Sequence, residues 1–166
     1  MLEDLFYTKQ VPGQYGEPIR IFKLRTMQRN ADGCLDELLS KKGFDNMGKI
    51  TDDPRVTNLG VFLRKYWIDE LPQVVNLVRG DIKPVGIRPK TDRVWEEYPV
   101  EHKRRALQHK PGWMGVHYAF IGRSFDDVIK TEQQYLDEKE QHPFLTDVKY
   151  FFIILYNVFF KGLRSK

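Results

Sequence analysis

The sequence predicts an α+β fold: a mostly helical single domain opened by a β-hairpin. Three observations lead there. Residues 6–11 and 19–26 are rich in strand formers and flank Pro12-Gly13-Gln14-Tyr15-Gly16-Glu17, a run of turn formers. Beyond about residue 30, apolar residues recur at helical spacing in segments bounded by glycine or proline. The 166 residues contain no repeat, low-complexity tract or linker, and that length suits one modest core.

The hairpin comes first. Alternation along its second strand puts Ile19, Ile21, Lys23 and Arg25 on one face, so Lys23 and Arg25 point the same way. Two cations so placed suit an anionic ligand, or simply make a solvated edge strand that resists aggregation. Residues 31–42 read as a short amphipathic helix with Leu35, Leu38 and Leu39 inward and Gly43 as its stop. Residues 44–54 read as a loop, and Asp52-Asp53-Pro54 within it as turn chemistry and not a metal site. A second helix over 58–66, capped by Thr57 or Asn58, brings Arg64 and Lys65 to within a turn of Asp69.

The next segment, Ile68 to Asp81, reads IDELPQVVNLVRGD and is the most informative in the chain. Proline is tolerated in the first helical turn, so Pro72 predicts a helix over 70–78 that Gly80 ends. Asp69 and Glu70 then stand at its N-terminus, where partial positive charge and unpaired N–H groups favour carboxylates and approaching phosphates. Asp69 reads equally as a plain N-cap. Residues 82–87 look extended. Arg88 stands before Pro89, which keeps it out of the helical region and stiffens its placement.

Residues 92–98 and 100–109 look helical, and Lys103, Arg104, Arg105 and Lys110 form a basic run. Residues 111–115 read as a loop. Ser124 and Asp127 fit an N-terminal cap, so Asp126 and Asp127 are capping residues and not ligands of a helix over 125–139. Pro143 breaks the chain before an apolar run over 150–160, too short to span a bilayer. That run suits a buried core helix, or a helix in the membrane interface with Lys161, Arg164 and Lys166 toward anionic lipid.

Composition narrows the classes. A net charge of +4 suits anionic partners: phosphates, an anionic membrane surface or nucleic acid. No nucleic-acid motif is present, so no nucleic-acid partner is expected. Cys34 is the sole cysteine, which excludes an internal disulfide and points to a reducing, cytoplasm-facing location. The four histidines lack metal-ligand spacing.

Four segments carry a family resemblance: Lys23-Leu24-Arg25-Thr26-Met27, then Asp69 to Asp81, then Val85-Gly86-Ile87-Arg88-Pro89, then Lys110-Pro111-Gly112. In that order they resemble the bacterial sugar transferases, the monotopic phosphoglycosyl transferases. The resemblance implies a catalytic domain over residues 1–166, membrane-associated at the cytoplasmic face of the bacterial inner membrane. It implies transfer of a phosphosugar from a nucleotide diphosphate sugar, a UDP-sugar, to a polyprenol phosphate, initiating surface glycan synthesis. By the same resemblance Asp69 is the nucleophile and Glu70 helps hold Mg²⁺. Lys23, Arg25, Arg88 and Arg123 are the expected phosphate-binding cations.

The chain also departs from the family pattern. The usual apolar N-terminal membrane helix is not found ahead of the hairpin, and Ile87 stands where a proline is usual. Glu132 or Asp137 could take the place of an additional family aspartate. A non-catalytic scaffold keeping the fold is the competing expectation.

Overall fold

The computed structural model describes residues 5–31, 33, 37, 38, 40, 50, 52–120 and 124–163. Most of the helix expected over 31–42, and Arg123, lie outside them.

The expected hairpin forms. Strand β1 (Phe6–Pro12) pairs antiparallel with β2 (Pro18–Leu24), with Val11 opposite Ile19 and Tyr7 opposite Lys23. Its tip is a 3-10 turn, Gln14–Gly16, in which Tyr15 and Gly16 take positive φ. Helix α1 (Asn58–Lys65) starts at Thr57, whose hydroxyl accepts from the Gly60 N–H at 3.0 Å. Gly60 presses on the Thr26 carbonyl, where a Cβ would come within 2.1 Å of its oxygen, so only glycine lets α1 sit there.

The next segment departs from expectation. Ile68–Gln73 is a 3-10 turn carrying both carboxylates, and the α-helix, α2 (Val74–Arg79), begins only after it. Pro72 lacks the N–H that an α-helix started at residue 70 would use, and the tighter turn accommodates it. Gly80 ends α2 in the left-handed region, as expected.

Burial in this segment favours polar side chains over most of the apolar ones. Leu71, Val74, Val75 and Val78 are exposed, while Gln73 and Asn76 are fully buried. Hydrogen bonds account for the burial of Asn76. Its side chain accepts from the Phe22 N–H (3.2 Å) and donates to the Arg20 carbonyl (2.7 Å) and to Asp81 (3.0 Å). It thus serves the free edge of β2 as a neighbouring peptide group would.

Strand β3 (Lys83–Gly86) is extended as expected, but it pairs in parallel with β4 (Gly112–Gly115), a segment that read as a loop. A partner strand far along the chain leaves no local signal. Short helices α3 (Asp92–Trp95) and α4 (Val100–Ala106) follow β3. Helix α5 (Phe125–Gln141) opens with the expected capping box: Ser124 accepts from the Asp127 N–H and Asp127 from the Ser124 N–H, both at 3.1 Å.

Helix α6 (Pro143–Phe160) begins seven residues before the apolar run, with Pro143 in its first turn. Thr146, Tyr150, Ile154 and Asn157 form its buried stripe. Phe144, Leu145, Phe152, Tyr156, Phe159 and Phe160 are exposed. One face of α6 is therefore core, and the other is apolar and exposed. The main core gathers Val85, Ile87, Trp95, Tyr98, Val116, Tyr135, Leu136, Tyr150 and Ile154 between β3 and the C-terminal helices. Lys83 reaches from β3 to Tyr135 (2.7 Å) and Asp147 (3.0 Å), tying the sheet to α5 and α6.

Candidate active site

Strand β2 packs along the 3-10 turn, and this contact assembles the site. Lys23, near the end of β2, reaches Glu70 at 3.3 Å. Arg88, just past β3, binds the same Glu70 oxygen, Oε1. Its side chain runs beside Gly115, where a Cβ would lie 2.7 Å from Arg88 Cγ. Three segments far apart in sequence thus meet at one carboxylate, as expected from their motifs.

The two adjacent carboxylates have opposite environments, although each is 7% exposed. Burial pushes Glu70 up, but Arg88 and Lys23 outweigh it and hold its pKa at about 2. Asp69 makes no hydrogen bond or ion pair among the described residues, and burial, with Glu70 beside it, raises its pKa. Lys23, Arg64 and Arg88 lie close enough to attract it without binding it. One carboxylate is therefore locked as an anion by two cations, and its neighbour is desolvated, basic and unclaimed. Asp69 is also not an N-cap. The residue before the turn is Trp67, in the left-handed conformation, and no side chain caps this end.

Arg64 is the cation that the expected site omitted. Helix α1 points it back toward the carboxylates, and its Nε donates to Thr26 Oγ1 at 2.9 Å. The spacing of Arg64 from Asp69, five positions along the chain, was the available signal. Arg25 directly follows β2, with its guanidinium 3.4 Å from the Phe6 carbonyl and 5.9 Å from the ring of Tyr7, the cross-strand partner of Lys23.

Of the two candidates for an additional acid, Glu132 is buried and bonded to Lys90 and His102, whereas Asp137 is exposed and paired with Arg105. Asp53 is claimed by Arg55 at 2.6 Å, consistent with turn chemistry.

A divalent cation would find few protein ligands here. No cluster of three or more metal-ligating side chains occurs among the described residues. Asp69 and the second oxygen of Glu70 offer the open positions. That suits Mg²⁺, which keeps several waters and takes one or two carboxylates plus substrate phosphates. It does not suit an ion that needs a closed protein cage.

The chain matches known proteins along most of its length. Residues 2–161 match the bacterial sugar transferase family. The chain is 40% identical over 131 residues to the galactosyl transferase CpsE of Streptococcus agalactiae, covering 76% of this chain and 29% of that protein. It is 35% identical over 117 residues to the exopolysaccharide production protein ExoY of Sinorhizobium fredii, covering 68% and 51%. It is 35% identical over 136 residues to the undecaprenyl-phosphate galactose phosphotransferase of Salmonella typhimurium, covering 79% and 28%. The chain spans about half or less of the length of these relatives.

Proposed function

The chain belongs to the bacterial sugar transferase family, and we propose that it moves a phosphosugar from a UDP-sugar to a membrane polyprenol phosphate through an intermediate on Asp69. The observation that carries this reading is the split between the two carboxylates. Glu70 holds Lys23 and Arg88 in place, while Asp69 stays unbonded within the same positive field.

In the first half-reaction an Asp69 oxygen attacks the sugar-proximal phosphorus. The bond to the bridging oxygen breaks, and its electron pair leaves with nucleoside monophosphate. In the second, a phosphate oxygen of the polyprenol phosphate attacks that phosphorus and returns the Asp69 carboxylate. The product is a polyprenol-diphosphate sugar, the lipid-linked start of an exopolysaccharide, capsule or O-antigen. Lys23, Arg64 and Arg88 offset the charge that builds on the phosphate oxygens, and the planar Arg88 fork suits two of them at once. Asp69 and Glu70 would hold Mg²⁺, which when bound screens the repulsion between a carboxylate and a diphosphate.

Two sets of exposed apolar residues support a membrane setting. One, beside the carboxylates, comprises Leu59 and Phe62 of α1, Tyr66 just after it, and Leu71, Val75 and Val78; the other is the outer face of α6. Helix α6 has 18 residues and a mean hydropathy of 1.3, by length and composition enough to cross a bilayer. We place the domain at the cytoplasmic face of the inner membrane, where a lipid-borne acceptor can reach Asp69.

Asp69→Asn tests the reading. We expect loss of nucleoside monophosphate release from a UDP-sugar with Mg²⁺, and loss of a phosphosugar mass adduct on the protein. The melting temperature should be unchanged or higher, because an unpaired buried charge has been removed. Substantial turnover by this variant would remove Asp69 from the nucleophile's role, and a wild-type protein that neither cleaves donor nor gains the adduct would favour the scaffold.

A further inference from the structure

Behind Arg88 lies a buried ionic cluster that the proposed chemistry does not use. Lys90 Nζ bonds Glu132 Oε1 at 2.8 Å, and the other Glu132 oxygen lies 2.9 Å from His102 Nε2. The Lys90, Glu132 and His102 side chains are 10%, 1% and 0% exposed. Two aromatic rings close over the lysine: its Nζ is 4.6 Å from the Trp95 centroid and 4.7 Å from that of Tyr98. His102 Nδ1 and Trp95 Nε1 are buried without a hydrogen-bond partner.

Stability alone is a poor account of such a cluster. Taking an ammonium and a carboxylate out of water costs more than their attraction reliably returns, and apolar residues of similar volume often serve a core as well or better. Burial does weigh on the lysine, lowering its pKa against the pull of Glu132. Nor does the cluster offer a ligand site, since no side chain in it is open to solvent. What it does is fix a point of the chain. Lys90 is two residues after Arg88 with Pro89 between them, and Pro89 is fixed in φ and restricts the backbone of Arg88. Helix α3 begins just beyond, so the segment from Arg88 to α3 is pinned at Lys90 by Glu132 of α5, which His102 of α4 in turn holds by its other oxygen.

We propose that Lys90, Glu132 and His102 are positioning residues, a buried clamp that sets the direction of the Arg88 guanidinium toward Glu70 and the donor's phosphates. This rests on the reading of Arg88 as a phosphate-binding cation. The clamp never touches substrate and acts only through Arg88.

A double-mutant cycle tests it. Lys90→Met/Glu132→Gln leaves no unpaired buried charge and should fold. With nucleoside monophosphate release as the readout, we expect at least a tenfold loss in kcat/KM for the donor, mostly as a raised KM. In an Arg88→Lys background the same pair of changes should cost less than threefold, because the residue through which the clamp acts is already impaired. Equal losses in both backgrounds, or no loss in the first, overturn the clamp. Should the paired variant not fold, Glu132→Asp keeps the charge and shortens the reach; the cycle is then run with that substitution, and equal losses or no loss again overturn the clamp. A wild-type protein that releases no nucleoside monophosphate overturns the catalytic reading instead, and donor binding measured by calorimetry across the same four proteins then decides the clamp.

Discussion

Glu70 is the residue on which the site's charge balance turns. Its carboxylate is nearly closed to solvent and shared by Lys23 and Arg88. Because its pKa is about 2, below the ordinary 4.5, its ionised form stabilises the fold. That contribution is complete above about pH 4.5 and is lost as pH falls toward 2, with an upper bound of ~3 kcal/mol. Asp69 has the opposite sign: its raised pKa means that its charged form costs stability, a cost relieved on acidification. Urea unfolding followed between pH 6 and pH 2 should show the acid loss in wild type and a flatter profile in Glu70→Gln. Identical profiles would mean that Glu70 is not held by its two cations.

At the scale of elements, the segment from Asp69 to Asp81 divides into chemistry and carpentry. The first two residues are the pair to which the proposed chemistry falls. Asn76, Gly80 and Asp81 exist to dock the turn and α2 against the edge of β2, which is what brings Lys23 to Glu70. Asn76→Leu keeps the volume but leaves the Phe22 N–H and Arg20 carbonyl unpaired in a buried place, for a cost of about 2–4 kcal/mol. Donor cleavage should fall with it, as Lys23 loses its register. Thermal melting and donor turnover read the two effects, and a variant as stable as wild type would show that the Asn76 bonds are dispensable. The motif was legible as a motif, but its division of labour was not. A side chain that substitutes for a neighbouring strand has no periodicity of its own.

For the whole molecule, the informative quantity is apolar surface left uncovered. Helix α6 gives the stripe of Thr146, Tyr150, Ile154 and Asn157 fully to the interior, with Phe151, Ile153 and Val158 packed partly against the core, and leaves its other aromatics exposed. Asn157 anchors that stripe by donating to the Tyr118 and Ala119 carbonyls at 3.0 and 2.7 Å. If the outer face meets lipid, Phe152→Glu with Phe159→Glu should sharply reduce sedimentation with anionic vesicles while leaving the melting temperature within a few degrees. Donor cleavage in solution should persist, because Asp69, Glu70, Lys23 and Arg88 are untouched. Undiminished vesicle binding would move the lipid contact to the other apolar surface, beside the carboxylates.

The hairpin, the capped starts of α1 and α5, the stop at Gly80 and the meeting of Lys23, Glu70 and Arg88 were all readable from residue order. Each of these rests on local backbone chemistry or, for the cations, on the family resemblance of the segments that carry them. The parallel pairing of β3 with β4, the edge-capping role of Asn76 and the unequal environments of Asp69 and Glu70 belong to tertiary structure. The reason is electrostatic and steric: neighbouring carboxylates in a sequence look alike, and only the cations and strand edges brought to them from elsewhere in the chain decide which is bound and which stays free to react.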